Sequence, residues 1–128
     1  VFISSWAQAQ TGSEIFLFDL KEKKGTITLS NPRNITNHPG YDNQPFFHSD
    51  EPVVYYASFN EEGRADIKSY NYRSEETKNI TETPEREYSP TLTPDKTYLS
   101  CIIQRDNNAQ DLGKYPLGGG QPDVIVDN

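Results

Sequence analysis

Two short segments carry the residues best suited to hold a ligand: Tyr41-Asp42-Asn43 and Arg86-Glu87-Tyr88, whose acids Asp42 and Glu87 stand 45 residues apart. Carboxylates held near each other at the mouth of a low-dielectric cavity favour a bound cation or a basic group on a peptide. Taken singly, each acid is a solvated turn residue in an acidic chain. They become a site only if the fold brings matching positions together.

No other residues offer a reaction. A nucleophile elbow needs Gly-x-Ser-x-Gly at a strand-to-helix turn, and the chain has none. There is no His-Glu-x-x-His, no Cys-x-x-Cys and no Gly-Lys-Ser/Thr phosphate loop. His38 lies beside the Pro39-Gly40 turn and His48 at a strand end, where its counterpart 45 residues on is Thr93, so imidazole is not required there. Ser-His-Asp sets can be drawn on paper from any such chain and carry no weight. Asp106-x-Asn108-x-Gln110 has the opening spacing of a calcium loop, but Asp111 and Leu117 stand where a glycine and a bidentate glutamate belong. Cys101, the single cysteine, alternates with Leu99 and Ile103 and reads as a buried small hydrophobe. Neither catalysis, a cofactor nor a metal is expected.

The 45-residue spacing runs through the whole chain. Asn34-Ile35-Thr36, Gln44-Pro45-Phe46 and Asp50 recur as Asn79-Ile80-Thr81, Ser89-Pro90-Thr91 and Asp95, and Asp66-Ile67 and Tyr70 recur as Asp111-Leu112 and Tyr115. Both Asn-Ile-Thr triplets fit a glycosylation sequon, yet the repeat accounts for them without sugar. A third copy opens at Val124-Ile125-Val126. A period of roughly 40–45 residues built from short alternating strands marks a β-propeller blade of four antiparallel strands. Strands are expected at 44–48, 53–59, 66–72 and 77–81, and again at 89–93, 97–104, 111–117 and 121–126. Turns fall at Ser49-Asp50-Glu51-Pro52, Thr93-Pro94-Asp95-Lys96 and the glycines 118–120. Segments 1–5, 14–20 and 27–36 read as the last three strands of an earlier blade. Ile15 precedes Ile67 by 52 residues rather than 45, so extra length is expected between Gly25 and Arg33. The fold class is all-β. The partition is 1–36 for a partial blade, 37–81 and 82–126 for two complete ones, and 127–128 for a following connection, the whole being part of a larger propeller. Because the first strand of each blade faces the central channel, Asp42 and Glu87 are expected in loops at its mouth, as part of a ring of acids.

The unit Asn-Ile-Thr, then Pro and Asp about ten and fifteen residues on, then an apolar strand and Asp-Ile/Leu-x-x-Tyr, resembles the TolB-like propeller repeat, a relative of WD-repeat blades. Its turn departs from the family's usual Ser-Pro-Asp-Gly, reading Thr93-Pro94-Asp95-Lys96 and His48-Ser49-Asp50-Glu51. The resemblance implies a non-enzymatic scaffold of the bacterial envelope, periplasmic or secreted, binding a protein or peptide at the channel or loop face. It also admits an accessory propeller of a serine oligopeptidase or polysaccharide lyase. A carbohydrate-binding propeller is a third reading, with Trp6, Tyr41 and Tyr88 as stacking platforms.

Composition narrows the partners. The formal charge is −7 and the 12 basic residues are scattered, leaving no positive stripe for nucleic acid or anionic lipid. No apolar run approaches the roughly 20 residues of a membrane helix, so insertion into a membrane is not expected. Two blades with partial blades at each end expose apolar faces that isolated units cannot bury, so self-association to complete the ring is a further expectation.

Overall fold

The computed structural model describes residues 12–127, and it is all-β, with no helix among them. Strands β1 (Phe16–Lys23) and β2 (Thr26–Asn34) form a two-stranded sheet. A four-stranded antiparallel sheet follows, with β3 (Asp42–Phe47), β4 (Val53–Phe59), β5 (Ala65–Asn71) and β6 (Glu76–Asn79) side by side in chain order. A second four-stranded sheet repeats the plan with β7 (Arg86–Leu92), β8 (Tyr98–Gln104), β9 (Gln110–Pro116) and β10 (Asp123–Val126). The strand expected at 1–5, and Trp6 with it, lies outside the described residues.

The sequence repeat is visible in the backbone. Pairing of β3 with β4 shifts register between Asn43 and Phe46, and pairing of β7 with β8 shifts between Tyr88 and Thr91, the matching positions. Each bulge is built on a left-handed residue before proline, Gln44 at φ 57° and Ser89 at φ 55°. An extra residue in one strand bends it and sharpens its twist. The two bulges are joined directly, since the Ser89 amide donates to Gln44 Oε1 at 2.8 Å. Pro45 and Pro90 follow the same backbone but differ in exposure: Pro90 is buried and Pro45 is exposed. β7 packs on β3, β4 and β5 of the sheet before it, whereas the sheet before β3 has two described strands.

The strands form because β-branched and aromatic residues suit a pleated surface covered by neighbours. β4, Val-Val-Tyr-Tyr-Ala-Ser-Phe, is buried on both faces. Val54 and Tyr56 meet Ile15 and Ile35 beside the first sheet. Tyr55 and Ala57 point the other way, joining Ile67 of β5 and Leu99 of β8 in a core shared by the two four-stranded sheets. β8 alternates instead: Leu99, Cys101 and Ile103 are buried while Ser100, Ile102 and Gln104 on its other face are half-buried. Burial pushes the Cys101 thiol pKa up to about 12, with the Glu87 charge adding to the effect, so the sulfur stays a protonated hydrophobe.

The extra length before the second sheet is taken up by a longer hairpin. β1 and β2 run for 8 and 9 residues, against 7 and 4 in β5 and β6. Lys24 and Gly25, at φ 52° and 78°, make the two-residue turn whose twist matches the flanking strands. The glycines at 118–120 lie in a longer connection, 117–122, between β9 and β10, with Gly119 and Gly120 at φ 89° and 128°.

Candidate functional site

β3 and β7 begin at the same end of their sheets as the β4–β5 loop (60–64) and the β8–β9 loop (105–109), and the connection 80–85 crosses between them. All six candidate residues lie at this end. Asp42, Asn43, Arg86, Glu87 and Tyr88 belong to the strands themselves rather than to the preceding loops, because Asp42 pairs opposite Ser58 and Glu87 opposite Ile103 before either bulge interrupts the ladder. Tyr41 just precedes β3; its carbonyl accepts from the Phe59 amide at 2.9 Å and its ring lies 4.9 Å from Phe59 and 6.4 Å, edge-on, from Tyr88. Asn43 is exposed and its Oδ1 caps the Gln44 amide at 2.8 Å. Arg86 is half-buried, its guanidinium 3.5 Å from Asp106.

The two acids occupy matching places, but they are not open to solvent. Asp42 is 1% exposed and Glu87 is fully buried. The acids expected in loops at the channel mouth are instead buried at the starts of β3 and β7. Glu87 is held by three hydroxyls, Thr81 Oγ1 at 2.9 Å and Thr83 Oγ1 from the connection and Tyr115 Oη at 3.0 Å from β9. Thr81 Oγ1 already accepts the Ile67 amide at 2.8 Å, which leaves its proton to the carboxylate. The set ties β5, the connection and β7 together. Burial raises the Glu87 pKa above the ordinary value, with the three hydroxyls pulling it down.

Asp42 sits in a closed triangle. His38 Nδ1 is 3.2 Å from Asp42 Oδ2, His38 Nε2 is 3.1 Å from Ser58 Oγ, and Ser58 also bears on the carboxylate. Burial raises the Asp42 pKa, while Ser58 and His38 oppose it. The three residues have the identities of a hydrolytic triad but not its function, since Ser58 has no exposed surface through which to attack a substrate. His48 has the turn role foreseen for it: its Nδ1 accepts from the Asp50 and Glu51 amides at 3.1 and 3.0 Å, as Thr93 Oγ1 accepts from Tyr98 in the next sheet.

A polar feature at the same end went unrecognised. Arg105 in the β8–β9 loop grips Asp111 of β9 through Nε at 2.7 Å and Nη2 at 2.6 Å, and its Nη1 reaches Glu85 at 3.2 Å. The matching position in the β4–β5 loop is Asn60, which donates to Asp66 at 2.9 Å. Comparing loop residues at the 45-residue spacing, and not only the strand markers, would have revealed the pair. A cavity of about 350 Å³ opens at Asp66, lined by the β4–β5 loop, the end of β6 and the connection 80–85. No group of three or more His, Cys, Asp or Glu side chains among the described residues is close enough to hold a metal ion. No described helix is long and apolar enough to cross a membrane.

No family model and no curated protein sequence matches this chain. Solved structures do. TolB from Acinetobacter baumannii superposes with a TM-score of 0.67 at 14% identity, over 87% of this chain and 29% of that one. A putative TolB from Agrobacterium tumefaciens gives 0.61 at 18% identity, over 88% of this chain and 42% of that one. The chain thus spans less than half the length of either neighbour. At these identities the likeness speaks to architecture, and with the bulged inner strands and sheet-on-sheet cores it identifies the chain as part of a TolB-like β-propeller fold.

Proposed function

We propose that this protein is a non-catalytic propeller scaffold of the cell envelope that binds a protein or peptide at the end where β3 and β7 begin. The observation that carries this is what lies beneath that face: Glu87, fully buried, accepts from three hydroxyls, and Asp42, buried, lies 3.2 Å from His38, under the backbone that carries Tyr41, Asn43, Arg86 and Tyr88. Half-buried aromatic rings and an arginine on a pre-ordered base form the kind of surface that anchors a polypeptide with little loss of side-chain freedom. In this role the acids support the surface and their neighbours touch the partner. Panning a random peptide library on the purified protein tests it. Selected peptides are expected to lose about tenfold or more in affinity on Tyr88→Ala, the loss expected of an aromatic anchor. Failure to select any peptide, or selection of peptides indifferent to Tyr41→Ala and Tyr88→Ala alike, overturns it.

The ring around this surface is completed by further blades. Phe16, Leu20, Ile27 and Leu29 of the first hairpin are 52–65% exposed, and Val124, Ile125 and Val126 of β10 are 46–57% exposed. Propeller rings close at roughly four to eight blades, and apolar surface of this kind is covered in stacked repeats by the adjoining unit. The 128-residue chain alone is expected to associate in light scattering at micromolar concentration; a monomer that unfolds cooperatively would refute this.

A further inference from the structure

We propose that the cavity at Asp66 is a socket for an arginine side chain supplied by the polypeptide partner. The proposal rests on the protein-binding reading above and adds the chemistry of the residue that enters. Asp66 and Asp111 hold matching positions in β5 and β9, and each is 6% exposed. The loops before them have the same fold. Asn60 N donates to Arg64 O at 2.8 Å and Arg105 N to Ala109 O at 2.9 Å; Gly63 N donates to Asn60 O at 3.0 Å and Asn108 N to Arg105 O at 2.9 Å. Gly63 and Asn108 are both left-handed, at φ 73° and 67°.

Within this common frame all five side chains differ, and the loop's guanidinium stands at its first place in Arg105 but at its last in Arg64. Arg105 covers Asp111 with a guanidinium in the third sheet, whereas Asn60 offers Asp66 a single neutral N–H in the second. Asp66 Oδ2 takes that bond, and Oδ1, buried, has no hydrogen-bond partner among the described residues, although the Thr83 backbone bears on the carboxylate. A carboxylate oxygen buried without a donor is destabilising, and it is relieved by a cation that brings its own hydrogen bonds. The cavity beside it is lined by Glu61, Glu62, Glu82 and Arg64 as well, so four carboxylates share one guanidinium, which is paired with Glu62 through Nη2 and keeps a buried Nε without an acceptor among the described residues. Arginine suits this site better than lysine, because its planar fork can bring several N–H donors to one carboxylate, as Arg105 brings Nε and Nη2 to Asp111 Oδ2.

The test is an NMR titration of the ¹⁵N-labelled protein with Nα-acetyl-arginine methylamide and, separately, its lysine analogue. Saturable shifts confined to the amides of 60–66 and 82–83 are expected with the arginine probe, and about tenfold weaker binding with lysine, which lacks the planar fork. Asp66→Asn and Asn60→Arg should each abolish the response. Asn60→Arg places a guanidinium beside Asp66 but gives up the bonds that Asn60 Oδ1 accepts from the Glu62 and Arg64 amides, so its urea transition is measured beside its binding, and binding lost while the cooperative transition is kept is a loss of the socket and not of the fold. Equal binding of lysine, undiminished binding in Asn60→Arg, or binding seen only after Arg64→Ala, which would make Arg64 the internal partner of Asp66, overturns the socket. The two readings fail separately. A saturating arginine probe with no peptide ever selected leaves the socket and removes the protein-binding role; selected peptides that bind Asn60→Arg as well as the wild type do the reverse.

Discussion

Glu87→Ala is expected to lower the free energy of unfolding by about 3–4 kcal/mol, because it strands buried hydroxyl donors, each of which costs about 1–3 kcal/mol when left unpaired. Thr81, Thr83 and Tyr115 all lose their acceptor, and the side chain removed is fully buried. Glu87→Gln is a different perturbation. Its Oε1 still accepts from Thr83 and Tyr115, its amide can donate to Thr81 Oγ1, which leaves one hydroxyl proton without an acceptor, and it carries no charge to desolvate, so it should lose about 1–2 kcal/mol, well short of the alanine variant. Urea midpoints at constant slope measure both. Equal losses in the two variants would mean that the carboxylate's charge, and not its acceptor capacity, holds the hydroxyls.

The pH dependence separates the same alternatives. Burial raises the Glu87 pKa in the folded protein above the ordinary 4.5. Below 4.5 the side chain is protonated in both states and its contribution is at its most favourable. As pH rises from 4.5 towards the raised folded value, the unfolded chain releases the proton first, binds fewer protons than the native state, and stability falls. Above the folded value the loss is complete and constant. Asp42 and Asp66, also raised by burial, act in the same sense, while Asp50 and Asp95, lowered by their hydrogen-bond partners, act oppositely. The difference between wild type and Glu87→Gln as a function of pH isolates the one group.

How much of this was legible in the sequence depends on whether the information was periodic. The 45-residue spacing carries the register, the bulges at Gln44 and Ser89 and the succession of antiparallel strands, because each depends on backbone conformation that two copies share. The state of the acids is not periodic. Asp42 and Glu87 follow turn residues and look solvated; what buries Glu87 is a threonine from the strand motif, a second from the connection and a tyrosine from β9, while Asp42 draws on His38 and Ser58. The identical position thus meets unrelated surroundings in the two sheets, three hydroxyl donors at Glu87 and the nearby His38 and Ser58 at Asp42, an outcome of packing that no single copy announces. Asn60 and Arg105 were missed for a related reason. A loop residue that differs between repeats reads as neutral drift until the shared aspartate beside it is seen to be buried in both.

Leu99→Ala should be almost as damaging as Glu87→Ala, at about 3 kcal/mol, within the range for emptying a fully buried leucine site. Leu99 has no exposed surface and packs with Tyr55, Ala57 and Ile67 of the preceding sheet, so the cavity would open in the seam between two sheets and not inside one. Closing it would require the sheets to shift against a ladder and a bulge-to-bulge bond that fix their spacing, and collapse is correspondingly limited. Ile102→Ala on the opposite face of the same strand is the control. That side chain is half-buried in this chain, so its truncation should cost about 1 kcal/mol, the transfer energy of a partly covered aliphatic group. A larger loss at Ile102 than at Leu99 in the 128-residue chain would place the tighter seam on the far side of β8, and the stacking order of the sheets argued from β4 and β8 would be wrong. If the further blade proposed above is stacked on that face, the two losses should converge, which makes the same pair of variants a direct assay of ring closure.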